Sequence, residues 1–362
     1  MTRNVSVLVV GAGPVGLSAA IELHRRGVPV RIVDQDAAPT GESRAVGINA
    51  RTLELLEASG ASERLIAAGI RLSGIDIIGQ GRALASVDLS RLRHRYNFML
   101  ALPQYRTEVI LAQCLAERGI PVERGVVASE IATHDDHAGA VLTGPDATRE
   151  RVEAGWIIGA DGAHSTVRKT LGLGFPGGSY PFEWSLADVD LSGDAAMDRG
   201  ELRLDPDRPV LFRIPIGPGR HRLIANGPDV LSLAPADWRV GAVHWESRFE
   251  VSHRQVERLG EGRVRLIGDA AHIHSPAGGR GMNLGIEDAA TLAERIAGRD
   301  LGDWDMQRQY KAARVIRESD RMQRMATADG RFTRRLLPRL AGLLLAVPPL
   351  HARFIRSIAG LA

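Results

Sequence analysis

Residues 5–34 read VSVLVVGAGPVGLSAAIELHRRGVPVRIVD. The run Val5-Ser6-Val7-Leu8-Val9-Val10 has the near-continuous apolar character of a strand buried on both faces. Gly11, Gly13 and Gly16 follow at the spacing GxGxxG, with Pro14 and Val15 between the last two. A helix is predicted over 14–26, stopped by Gly27, and a second strand over 30–33 ends in Asp34. This is a complete βαβ unit. The first glycine allows a tight turn, the second lets a pyrophosphate approach the backbone, and the third brings helix and strand together. Asp34 stands where a carboxylate takes ribose hydroxyls, and a free ribose suits it better than a 2′-phosphate. The dinucleotide expected here is FAD or NAD, not NADP.

A second stretch, residues 262–290, reads GRVRLIGDAAHIHSPAGGRGMNLGIEDAA. It predicts a strand over 264–267 ending at Gly268-Asp269, a turn-rich crossing over 275–283, and a helix over 284–296. A carboxylate at a strand end suits a sugar or sugar-alcohol hydroxyl. Gly278, Gly279 and Gly281 leave backbone bare where a flat ring can lie, and the N–H groups of a helix start stabilise a partly negative oxygen. A third strand end of the same kind, Trp156 to Gly159, leads through Ala160 to Asp161-Gly162 and then a helix opening at 163–168.

Around these stretches the chain is less specific. Arg44, in the polar loop 41–49, is a cation suited to a pyrophosphate or an incoming nicotinamide. Residues 75–78 and 84–89 predict an antiparallel hairpin around Gln80-Gly81. Gln104 precedes a helix predicted over 107–118, either as a ligand contact or as a cap, and 121–127 reads as a strand. Asp135-Asp136-His137 is read as a solvated hairpin tip, since no further ligand spacing supports a metal. Strands are predicted over 180–191, 201–204, 210–215 and 221–226. The apolar, arginine-studded stretch 336–362, broken at Pro348-Pro349, predicts packing on its own domain or on a partner subunit, which would make a homodimer.

Composition narrows the classes. With 362 residues and 44% hydrophobic content the chain can bury a large core, divided into two lobes. The net charge is +3, the arginines are dispersed, and only Lys169 and Lys311 are lysines, so no nucleic acid is expected as partner. Cys114 is the sole cysteine, which excludes an internal disulfide and fits a reducing compartment. No stretch approaches the ~20 apolar residues of a membrane span, and the N-terminal run passes straight into glycines without the plan of a signal peptide. The expectation is a soluble, cytoplasmic protein.

GxGxxG, then ADGAHSTVR over 160–168, then GDAAH over 268–272, in that order, is similar to the flavin-dependent aromatic hydroxylases of the p-hydroxybenzoate hydroxylase type, in particular their polyketide and phenol hydroxylase branch. The resemblance runs from Val5 to about Arg317. It implies an α/β fold: a Rossmann-like FAD-binding domain with a parallel sheet (1–72, 98–175 and 252–300), a smaller, mostly antiparallel β-sheet substrate domain (73–97 and 176–251), and a C-terminal helical segment (301–362). It implies that Gly11, Gly13, Pro14, Val15, Gly16 and Asp34 hold the ADP half of FAD, with Asp161 and Gly162 near the pyrophosphate. Gly268 and Asp269 fall at the ribityl and pyrophosphate contact. Pro276, Gly279 and Gly281 fall along the isoalloxazine, Met282 and Asn283 offer N–H groups to its pyrimidine edge, and Arg44 and Gln104 fall at flavin contacts.

The activity implied is hydroxylation of an aromatic or polyketide substrate: NADPH or NADH reduces FAD, O2 adds at flavin C4a, and the hydroperoxide passes its distal oxygen to an electron-rich carbon. Pro276 and Arg44 are the flavin-face residues singled out, and His221, His274 and Tyr96 are the candidate bases. Two departures stand out. Residues 232–243 are shorter than the helical insertion of the family, and Arg280 stands where glutamine is common, as a cation beside reduced flavin or as an exposed side chain. The sequence stops where longer relatives add a thioredoxin-like domain, so that domain is expected to be absent. A halogenase is disfavoured by the lack of a WxWxIP string. A dehydrogenase, a peroxide-releasing oxidase and a flavin-binding scaffold with lost turnover stay open.

Overall fold

The computed structural model describes residues 2–39, 41, 45–193, 196–276, 278–326, 342 and 345–362. Arg44 lies outside the described residues.

Strand Thr2–Val10 pairs in parallel with Val30–Asp34 on one side and with Arg149–Gly159 on the other. Val264–Leu266 extends the sheet beyond Arg149–Gly159, and Glu123–Arg124 extends it beyond Val30–Asp34, both in parallel. Val10 stands opposite Val33 and Gly159, and Gly159 opposite Leu266, so the carboxyl ends of four strands are level. The turns carrying Gly11 to Gly16, Asp34, Asp161 and Asp269 therefore emerge along one edge. That edge is where open α/β sheets form a ligand crevice. The central strand is sealed on both faces, with Val7, Leu8 and Val9 buried, and helices Pro14–Arg25 and Gly281–Ala297 pack together over it.

The second sheet is antiparallel except for one pair. Gly177–Ser192 lies between Arg239–Gln255 and Arg220–Ala225; Leu211–Gly217 and Arg199–Arg203 follow outward. The hairpin Gly74–Gly79 and Arg82–Asp88 then joins through a parallel pairing to Arg199–Arg203. One face of this sheet looks toward the crevice. The other is covered by Val230, Trp238 and their neighbours, which pack on Leu223 and Ala225.

Two sequence expectations need correction. The strand over 121–127 is broken at Gly125, where φ is +70° and the N–H donates to the Asp36 carbonyl. Glu123–Arg124 stays in the parallel sheet, while the chain turns into Val127–Thr133, which pairs antiparallel with Ala138–Thr143. Residues 232–243, expected only as a shortened insertion, hold the end of the short 3-10 turn Leu231–Leu233 and the start of strand Arg239–Gln255, the main partner of Gly177–Ser192. That strand was missed because glycine and histidine interrupt its first half. From Trp245 to Val251 burial alternates regularly, with Ser247 the one polar residue on the inward side.

After Gly281–Ala297 come helix Trp304–Ala326 and a final helix, Pro348–Ile358. The final helix packs on its own chain: His351, Ile355 and Ile358 are buried, and the Arg51 N–H donates to the Ala359 carbonyl at 3.0 Å. Among the described residues no helix is long and apolar enough to cross a membrane.

Candidate functional site

A cavity of about 1220 Å³ runs from the carboxyl edge of the parallel sheet to the inner face of the second sheet. One drug-sized ligand occupies ~300–1,000 Å³, so the space suits more than one ligand. At one end it meets the turn after the first strand. Each glycine there has its own reason. Gly11 has φ +103°, and a Cβ on it would lie 2.4 Å from the Ala160 carbonyl oxygen. A Cβ on Gly16 would lie 1.9 Å from the Gly11 oxygen, so helix and turn touch. Gly13 has nothing within 4 Å where its side chain would be and, with Pro14 and Val15, lines the cavity. Asp34 is half-buried beside this turn, with Oδ2 accepting from the Ala12 N–H at 2.5 Å and Oδ1 from the Asp36 N–H at 2.8 Å.

The other strand-end turns close on the same place. Asp161 uses Oδ2 to accept from the N–H groups of Thr166 and Val167, at 2.7 and 3.0 Å, while Ala160 and Gly162 line the cavity. Gly268 has φ +60° and fits only without a side chain, since a Cβ would come 3.0 Å from Val15. Its N–H donates to Asp288, which also meets His272 Nε2 at 2.6 Å and Arg308 Nε at 2.7 Å. Burial alone would raise the pKa of Asp288, but Arg308 and His272 more than reverse this and hold it down to about 2.

Asp269 differs. No described residue donates a hydrogen bond to its carboxylate, which stands on the cavity wall. Its side chain is exposed within the cavity, whose depth raises its pKa, with nearby His272 pulling the other way.

Pro276, Gly278, Gly279, Gly281 and Met282 line the cavity where helix Gly281–Ala297 begins. Gly278 and Gly279 have φ +88° and +61°. Among the described residues the first helix N–H to reach a backbone acceptor is that of Leu284, on the Arg280 carbonyl, which leaves the N–H groups before it for a ligand. The Asn283 side chain is fully engaged. It accepts from the Asn49 N–H and the Thr52 hydroxyl and donates to the Gly47 and Gly279 carbonyls, fixing the loop to the 47–52 segment. Gln104 lines the cavity as the first residue of helix Gln104–Ala116, three residues earlier than expected, and donates to Glu108 at 2.9 Å. Burial raises the pKa of Glu108, and the bond from Gln104 opposes that.

Arg280 is neither exposed nor a free cation beside the cavity. It is buried, with Nη1 on Glu318 at 2.5 Å and Nη2 on the carbonyl and hydroxyl of Ser357 at 2.9 and 2.8 Å.

Of the three candidate bases only His274 lies on the cavity wall. Its Nδ1 meets the Ser275 carbonyl at 2.9 Å, so Nδ1 carries the proton and Nε2 the lone pair. Burial lowers its pKa to about 4. His221 shares the far face of its strand with Leu223 and Ala225, and Tyr96 packs edge to face on Phe98. Neither lines the cavity.

The opposite wall is apolar and aromatic. Trp184, Leu186, Ile224, Trp245 and Phe249 project from the second sheet, and Phe354 and Ile358 come from the final helix. Arg222 lies over the Trp245 ring, 5.1 Å from its centroid, and is held by a two-pronged bond to Asp188 at 2.7 and 2.8 Å. Sequence reading missed this wall and the Asp288 network. The signal for the network was an aspartate among Leu284, Ala289 and Leu292 on the buried face of a helix.

These features fit the flavin dinucleotide that the strand order suggests. Gly13 and Gly279 are open cradles that a Cβ would fill, and Asp269 is an acceptor with no protein donor. The chain belongs to the FAD binding domain family, which it matches over residues 4–208 and 229–316. It is 38% identical to 6-methylpretetramide 4-monooxygenase of Streptomyces rimosus over 80% of this chain and 55% of that protein, so it spans little more than half of that relative's length. Among solved structures, an anhydrotetracycline hydroxylase from Streptomyces rimosus matches with TM-score 0.81 and 30% identity, covering 99% of this chain and 76% of the other. A p-nitrophenol 4-monooxygenase from Pseudomonas putida DLL-E4 matches with TM-score 0.88 over 99% of this chain and 98% of the other; at 21% identity it speaks for the fold alone. The fold expected from the motifs is the one found: a Rossmann-like parallel-sheet region, a mostly antiparallel sheet and C-terminal helices.

Proposed function

We propose that the chain is an FAD-dependent monooxygenase that hydroxylates an aromatic or polyketide substrate with NADPH or NADH and O2, as a cytoplasmic enzyme. The observation that carries this reading is one continuous cavity joining a glycine cradle to an aromatic wall. Gly11, Gly13, Pro14, Val15, Gly16 and Asp34 would hold the ADP half, with Gly162, Gly268 and Asp269 at the pyrophosphate and ribityl chain. Pro276, Gly279, Gly281 and Met282 would lie along the ring. In this reading residues 1–72, 98–175 and 252–300 serve the cofactor and 73–97 with 176–251 the substrate. Strand Arg239–Gln255 crosses between them.

Bound FAD supplies the path for electrons from nicotinamide to oxygen. The protein binds, orients and keeps water out. Trp184, Trp245 and Phe249 offer a wide apolar face to a flat ring system, and Phe354 closes it from the final helix. The N–H groups at the start of Gly281–Ala297 face the cavity, where they stabilise negative charge. With a pKa of about 4, His274 is neutral at physiological pH and weak as a proton acceptor. Its Nε2 is buried beside Gly281 with no partner among the described residues, so the ring shapes the wall at the helix start and does not take a proton.

The test is NADPH oxidation by the FAD-loaded protein with and without a panel of polycyclic phenols. Substrate-stimulated oxidation with an oxygenated product is the expected result. Protein that stays colourless after incubation with FAD overturns the reading.

A further inference from the structure

Arg280 is the N-cap residue of helix Gly281–Ala297, yet its side chain makes no capping bond there. It turns away to two other helices. One acceptor is Glu318, within Trp304–Ala326, which is also held by Arg314 at 2.9 Å. The others are the carbonyl and hydroxyl of Ser357, in the last turn of Pro348–Ile358. Carbonyls in a last helical turn lack helical donors and sit at the negative end of the dipole, so a guanidinium is well matched to them. A glutamine at position 280 has a shorter, uncharged amide with two donors on one nitrogen, against the charged five-donor fork of arginine, and offers Glu318 no opposite charge.

Among the described residues the loop in front of Arg280 is otherwise held by Asn283, which donates to the Gly279 carbonyl. Gly278 and Gly279 both have positive φ, and nothing stands within 4 Å of the position a Gly279 side chain would take. The final helix meanwhile forms cavity wall through Leu350, Phe354 and Ile358. A second tie runs parallel to the first: Gly360 packs on Asn49, whose N–H donates to Asn283. Loop and chain end are thus joined at two points, the first through the Arg280 bonds to Ser357, with the same guanidinium paired to Glu318 of helix Trp304–Ala326.

We propose that Arg280 is a positioning residue that couples the cavity-facing loop at 278–281 to the final helix, so that filling the cradle also seats the helix over the substrate wall. The inference rests on the FAD reading above. When FAD orders the loop, Arg280 is held in register with Ser357 and the helix tightens; when the cradle is empty, the helix loosens.

The experiment measures amide hydrogen exchange across residues 348–358, with FAD and after FAD removal, together with FAD affinity from flavin fluorescence. In the parent, FAD is expected to slow exchange in the final helix severalfold. In Arg280→Gln that protection disappears and the FAD Kd rises about two- to thirtyfold, the range of a coupling contact. Arg280→Lys, which keeps the charge beside Glu318, recovers part of both. If Arg280→Gln fails to fold, Ser357→Ala and Glu318→Gln carry the same comparison, each with a partial loss of protection. FAD binding that leaves exchange at 348–358 unchanged in the parent overturns the inference and spares the FAD reading. So does full FAD-induced protection in Arg280→Gln, or in both of the other variants. A parent that takes up no FAD overturns both.

Discussion

The turns at 160–166 and 268–275 begin alike, each leaving a parallel strand with a glycine beside an aspartate, and they end in opposite uses of that aspartate. Asp161 spends Oδ2 on the N–H groups of Thr166 and Val167 and so starts helix Thr166–Thr170. Asp269 receives no hydrogen bond from a described residue and faces the cavity. The difference lies in the segment downstream of each turn. After Asp161 four residues lead into helix Thr166–Thr170, whose first N–H groups turn back to the carboxylate, whereas Asp269 lies within the 3-10 turn Gly268–Ala270. At Gly268 the backbone N–H is held by Asp288 instead, and Asp269 receives no hydrogen bond from a described residue. Similar strand ends thus leave one aspartate bonded through Oδ2 to a helix start and the other without a described donor, the one that the proposed reading gives to the flavin.

The largest expected effect tests what holds the second turn. Arg308→Met leaves Asp288 and Glu287 without their buried guanidinium partner, and breaking such a pair costs about 3–5 kcal/mol of stability. Urea unfolding checks this. The pH dependence gives the sign. The pKa of Asp288 is held to about 2, below its unfolded value, so its contribution is complete above the unfolded pKa and fades as pH falls toward 2. In Arg308→Met that acid limb should move to higher pH. A variant as stable as the parent would mean that Asp288 is not what keeps the turn open.

Much of this contrast was open to sequence reading, and the rest was not, for identifiable reasons. The glycine spacing, the strand ends and the helix over 284–296 are local patterns, and each was found within a few residues of its prediction. Pairing decides whether a strand-end aspartate is free, and pairing here depends on Arg308 and His272, distant in sequence or unremarkable in pattern. Arg280 is the same kind of case: its partners at Glu318 and Ser357 are set by helix packing that no local period encodes. His221, His274 and Tyr96 were equivalent on paper. His221 is turned from the cavity by the register of strand Arg220–Ala225, while Tyr96 and His274 lie in irregular segments whose placement only the tertiary fold decides.

Asp269→Ala should weaken FAD binding about ten- to hundredfold, the worth of a hydrogen bond to a charged acceptor, measured by flavin fluorescence during titration. Stability of the FAD-free protein should not fall. The carboxylate is exposed to the cavity and receives no hydrogen bond from a described residue, so its removal takes no bond from the fold. Asp161→Ala is the converse. Losing two N–H bonds at a helix start costs roughly 1–2 kcal/mol, while FAD content should stay near that of the parent. Loss of flavin from Asp161→Ala with a normal unfolding midpoint would erase the distinction between the two turns.

The smallest effect at neutral pH carries the comparison over to histidine. His221 and His274 are both pushed down to about 4 by burial, with Arg213 adding to the effect on His221. A histidine with a folded pKa below its unfolded value stabilises fully above about 6.5, and that stability is lost as pH falls toward 4. Among the described residues neither ring nitrogen of His221 makes a full hydrogen bond, and the nearby Gly219 backbone only partly opposes the shift. His221→Leu should therefore change stability by less than about 1 kcal/mol at pH 7.5, since the transfer of an unpaired ring is no longer opposed. Between about pH 7 and pH 5 it should flatten the decline by about 2 kcal/mol, with FAD affinity unchanged. His274→Leu should flatten the same limb and, because this ring lines the cavity, should also weaken ligand binding. Urea midpoints and FAD titrations of the two variants, taken across that pH range, separate a histidine of the fold from a histidine of the site, and equal losses of FAD affinity in both would show that the sheet does not divide them.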